Sequence, residues 1–132
     1  MTSLAGPRAT PSEEGIRRLL PLAAGVTIYQ GAQVVLNAGG WAEPGVSAAG
    51  LVAVGRAKTT VSNVGGANGA AYVVVERGTF LWANDATNPV TLANVGQSAY
   101  VLDDQTVSIL GTSRSLAGIV FQVDASGVWV TI

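Results

Sequence analysis

From Ala23 to the C-terminus, short apolar stretches alternate with breaks rich in glycine and small polar residues. The apolar positions recur mostly every second residue, which is the period of a strand with one covered face. This pattern predicts strands over 26–30, 33–37, 41–45, 51–58, 71–76, 79–83, 98–102, 106–110, 116–123 and 128–132. Ala38-Gly39-Gly40 reads as a turn, the glycine-rich stretch 65–69 as a flexible connection and 84–88 as a loop. Gly78 interrupts a strand pattern and predicts a bulge or bend. One helical turn ended by Gly96 fits 91–96. Hairpins are expected across Asp103-Asp104-Gln105 and across Asp124-Ala125-Ser126-Gly127. In the last of them Ile119, Phe121 and Val123 alternate with Val120, Gln122 and Asp124, which predicts one buried face. Many short strands with glycine-rich turns and no alternating helices predict an all-β fold, a small barrel or sandwich over 23–132.

Residues 1–22 follow a different pattern. Pro7, Pro11 and Pro21 interrupt regular structure, and Thr10-Pro11-Ser12-Glu13 fits the start of a helix, with Thr10 as cap and Pro11 in the first helical position. Ile16, Leu19 and Leu20 fall on one face at helical spacing, so a short helix over 11–20 is expected. It is too short to hold alone in water. The segment therefore reads as an extended N-terminal arm that orders against a partner.

Charge sharpens this division. Only 11% of residues are charged, against roughly a quarter in ordinary soluble domains. Arg8, Glu13, Glu14, Arg17 and Arg18 supply five of the fifteen charges, all within the arm. A body so sparsely charged is expected to cover much of its surface in an oligomer. The net charge of −1 gives no basic face for nucleic acid, and no apolar run reaches the 18 residues that suggest a membrane span. The N-terminal residues lack the pattern of a secretory signal.

Candidate chemistry is sparse. Histidine and cysteine are absent, which removes the commonest general base, the thiol nucleophile and the usual soft metal ligands. A Ser–Lys arrangement has only Lys58 to draw on, at a strand end where a solvated lysine is ordinary. Asp103-Asp104 sits in a hairpin turn, which aspartate favours for its bonds to backbone N–H groups. Asp85 and Asp124 also fall in turns, without EF-hand spacing, so neither a catalytic role, a cofactor nor a metal is expected. Trp41, Trp82 and Trp129 are expected in a core or subunit interface; the alternative is a sugar platform, as in a carbohydrate-binding module.

Several segments of 23–132 carry a resemblance. They include Ile28-Tyr29-Gln30-Gly31-Ala32, Gly55-Arg56-Ala57, Asn63-Val64-Gly65-Gly66-Ala67 and Arg77-Gly78-Thr79-Phe80. They continue with Ala83-Asn84-Asp85, Pro89-Val90-Thr91, Val95-Gly96, Ala99-Tyr100-Val101-Leu102-Asp103-Asp104-Gln105-Thr106-Val107 and Val123-Asp124-Ala125-Ser126-Gly127-Val128-Trp129-Val130. Together they resemble the bacteriophage and prophage capsid decoration, or capsid cement, proteins; the arm lies outside the resemblance. It implies a β-barrel or β-tulip-like domain, assembled as a trimer on the outer capsid surface of the virion and made in the bacterial host cytoplasm. It also implies major capsid protein as partner, with junctions between capsid subunits braced against internal DNA pressure. On this reading Ile16, Leu19 and Leu20 supply apolar contacts to the capsid, while Arg8, Arg17 and Arg18 pair with its acidic groups. Alternatives are another virion β module, of the tail, baseplate or fibre, or a carbohydrate-binding module.

Overall fold

The structure, a computed structural model, describes residues 2–132. Met1, the first residue of the expected arm, lies outside them. The strands are β1 Arg17–Pro21, β2 Thr27–Ile28, β3 Gln33–Leu36, β4 Ala42–Pro44, β5 Val52–Ala57, β6 Val61–Ser62, β7 Tyr72–Glu76 and β8 Thr79–Asn84. A single 3-10 turn, Leu92–Asn94, precedes β9 Ser98–Val101, β10 Thr106–Ser108, β11 Leu116–Asp124 and β12 Gly127–Thr131. They form a five-stranded sheet ordered β1-β7-β5-β3-β4, a closed barrel ordered β10-β8-β12-β11-β9, and the small ribbon β2-β6. The expected all-β fold with a small barrel is what forms. Both predicted hairpins are present, the second with Asp124 paired to Gly127 across a tight turn.

Alternation on β8, β9 and β12 builds most of the barrel. On β8, Phe80 and Trp82 point inward while Thr79, Leu81 and Ala83 point out. On β12, Val128 and Val130 are fully buried, and Ala99 and Val101 of β9 join them with Val107 of β10. The five-stranded sheet folds over a second core of Leu22, Ile28, Val34, Val54, Val73 and Val75. Its far ends are drawn together by a parallel bridge between Leu22 and Ala42. β3 separates the two cores: Val34 faces the sheet's interior and Val35 the barrel's. A slip of one residue would exchange the two faces, so burial of valines at about 1.5–3 kcal/mol each fixes the register. The chain passes from sheet to barrel at Arg77-Gly78, between β7 and β8, where the sequence placed a bend.

Two expectations fail. No helix forms over 11–20; Arg17–Pro21 is instead a strand, antiparallel to β7 with Arg17 opposite Glu76 and Leu20 opposite Val73. Sheet pairing supplies more backbone bonds than two isolated helical turns, and it places Leu19 and Leu20 on opposite faces, not on one. The arm therefore ends near residue 15, because Leu20 packs on the second core and Leu22 is wholly inside it. In β11 the inward residues are Ala117, Val120 and Val123, three apart. Register shifts at Leu116/Gly118 and Val120/Gln122 cause this spacing. Each bulge adds a residue and reverses the parity, which turns Ile119 and Phe121 outward.

Candidate functional site

The outer wall of the barrel carries an apolar row. Register places Trp129 between Leu81 on β8 and Gln122 on β11, next to Phe121, while the neighbouring row runs Thr79, Thr131, Ile119, Ser98. Phe121 is 62% exposed and Ile119 44%. The backbones of Gly96 and Gln97 bond to Val120, so the 3-10 turn lies alongside and adds exposed Leu92 and Val95. None of the residues in these two rows is charged. At the hairpin tip, Asp124 accepts a bond from the Trp129 indole Nε1 at 3.3 Å. Further along β11, exposed Leu116 borders a shallow apolar groove shared with Val52 and Ile132.

A second feature lies where sheet meets barrel. Pairing aligns Arg17, Glu76 and Arg56 across β1, β7 and β5. Glu76 is nearly buried and Arg56 Nη2 bonds its Oε1; Arg17 Nε stands 3.5 Å and Lys58 Nζ 3.6 Å from Oε2. The Arg56 hydrogen bond, with the charges of Lys58 and Arg56 and a bond from Arg17, holds the Glu76 carboxyl below its ordinary range against the opposing effect of burial. The Arg56 guanidinium also lies 4.4 Å from the centre of the Phe80 ring, a cation–π contact from sheet to barrel. One carboxylate thus serves three cations.

A third cluster is internal. Ser108 Oγ donates to Asp85 Oδ2 at 2.8 Å and accepts from Arg114 Nη1 at 3.0 Å and the Leu110 amide at 3.1 Å. The Ser108 bond and the Thr87 amide keep the Asp85 carboxyl low. Ser108 is fully buried, so no substrate can reach its hydroxyl; the cluster ties together the loops after β8 and β10. Arg114 extends the tie to Ser47 at 2.9 Å.

The residues singled out in the arm divide. Arg8, Ile16, Arg17, Arg18 and Leu19 are exposed, but Arg17 is committed to Glu76, and Leu20 turns inward and is withdrawn from any contact role. Lys58, expected as a solvated strand-end lysine, is instead paired with Glu76, and nothing in the sequence marks the group because Arg56 and Lys58 meet Glu76, some twenty residues on, only through strand register. The alternation of Ile119, Phe121 and Val123 also predicted a regular buried face that β11 does not keep. The one available signal was Gly118, with apolar Ala117, Val120 and Val123 at three-residue steps. Trp82 is a core residue, edge-on to Phe80 at 6.2 Å. Trp41, half-buried beside Gly39 and Gly69, and Trp129 belong to the sheet side and the barrel respectively, so the three tryptophans share no platform. No family model matches this chain, and neither a curated protein nor a solved structure does.

Proposed function

We propose that the chain is a structural virion protein that decorates the outside of a bacteriophage capsid. It acts as a homotrimer that binds major capsid protein and braces the junctions between its subunits. The observation that carries this reading is the uncharged outer wall of the barrel, where Phe121, Ile119 and Leu81 stand exposed beside Trp129. Exposed aromatic and aliphatic side chains grouped on an uncharged wall, among Thr79, Thr131, Ser98 and Gln122, are the kind of surface that a partner covers. The exposed arm up to Gly15 supplies a second, extended contact. A trimer multiplies weak contacts, because each docked protomer raises the effective concentration of the next at the shell. Family resemblance names the shell as the partner, and the sparse charge of the body agrees with a surface used for contact. The test is rebinding: particles stripped of the protein are mixed with the purified chain, pelleted and reconstructed by electron microscopy. Density at repeated positions on the outer shell is expected. A chain that stays in the supernatant at micromolar concentration retires the capsid reading.

A further inference from the structure

We propose that the cation row of one copy receives Glu13 and Glu14 of a second copy's arm. The inference rests on the homo-oligomer part of the reading above and supplies its contact. Arg17, Arg56 and Lys58 surround the single carboxylate of Glu76, which leaves two positive charges uncompensated. The cations are held close together and partly exposed, with side-chain exposures of 64%, 40% and 36%. A further pair of carboxylates relieves their mutual repulsion.

The chain itself carries such a pair. Asp85 is bonded to Ser108, Asp103 and Asp124 accept amides of their own turns, Glu43 accepts the Asn37 amide, and Asp104 is a lone half-buried carboxylate in the turn between β9 and β10. Glu13 and Glu14 are adjacent, exposed and without an ion pair among the described residues. Among the described residues their arm makes one backbone bond of its own, from the Thr10 amide to the Arg8 carbonyl, and is tethered to the body at Ile16, whose carbonyl binds the Arg77 amide. That tether holds the arm on the β1 side of the sheet. Arg56 and Lys58 lie on the β5 side, two strand spacings or about 10 Å across β7. A neighbouring copy approaches them from solvent with no such restriction.

Donor arm and acceptor row are different parts of the molecule, so the contact can run head-to-tail, and one whose rotation closes forms a ring such as the proposed trimer. Each contact is a rim ion pair, weak alone and screened by salt. Sedimentation equilibrium of the full chain is expected to show association that weakens between about 0.05 and about 0.5 M NaCl. Glu13→Lys with Glu14→Lys is expected to weaken it at least tenfold with the β circular-dichroism signal unchanged, since both side chains are exposed. Adding Arg17→Glu and Lys58→Glu to that variant is expected to restore association, an outcome that loss of structure cannot produce.

If the fourfold variant does not fold, the arm reversal alone decides. Association equal to wild type after arm reversal overturns the proposal, as does a wild-type chain that stays a 13.3 kDa monomer. An arm reversal that shifts only the unfolding midpoint of a monomer assigns the row to the chain's own arm and overturns it too. Failure to rebind stripped shells with the ring intact retires the capsid reading and leaves this one standing.

Discussion

Glu76 and Asp85 are nearly buried carboxylates with depressed pKa values, Glu76 chiefly through the Arg56 hydrogen bond and Asp85 chiefly through Ser108. In the pH range where unfolded carboxylates take up protons, the native state binds fewer than the unfolded chain. Their contribution to stability is therefore complete above the ordinary carboxylate range and is lost as pH falls through the depressed native values. Urea midpoints are expected to be level from neutral down to about pH 5 and to fall below about pH 4. Glu76→Gln should lower the neutral midpoint, because three cations lose their counter-charge, and should make the acid fall shallower. An unchanged acid limb in that variant would place the pH dependence elsewhere. Gly55 is the other sensitive point: its φ of +132° is open to glycine alone, and a Cβ would run into the Glu76 carbonyl oxygen. Gly55→Ala is expected to cost at least about 1–3 kcal/mol in denaturant unfolding.

At the scale of elements, the strands were largely legible because period-two burial is a local signal, and β8, β9 and β12 fall where the alternation put them. β1 was not. Arg17–Pro21 reads equally as the end of a capped helix and as a strand, and only pairing with β7, more than 50 residues away, decides between them. β11 misled for a related reason, since its bulges are set by the partners on either side and not by its own composition. The cation row was illegible in the same sense, for Arg56 meets Glu76 by register. These corrections change what truncation should do. Removing residues 2–15 should leave the thermal midpoint of the monomer unchanged, as nothing in that segment is buried. Removing 2–21 strips β1 and uncovers the core beneath Leu20, and should destabilise markedly. Within β1, Leu20→Ala should cost about 1–2 kcal/mol, less than the 2–5 of a fully buried leucine because Leu20 is only half-covered, and Leu19→Ala close to nothing. Equal losses at the two positions would mean that β1 is not seated in this register.

Across the whole molecule, the two cores and the outer wall are built from different side chains, and substitution can separate their effects. Val130 is fully buried in the barrel, with Trp129 beside it on the opposite face. Val130→Ala should lower stability by roughly 1–3 kcal/mol and leave shell binding per folded molecule intact. Phe121 and Ile119 sit on the outer wall, where bulges in β11 have turned them away from the core. Replacing both with serine removes little native packing, so the thermal midpoint should hold or rise slightly. If the wall is the surface that meets the capsid, covering these two side chains contributes about 1–2 kcal/mol each on docking, and the double variant should bind stripped particles at least about tenfold more weakly. Pelleting assays with both variants at matched folded concentration make the comparison. Loss of stability with retained binding would place Phe121 and Ile119 in the fold's own packing and move the capsid contact to the arm.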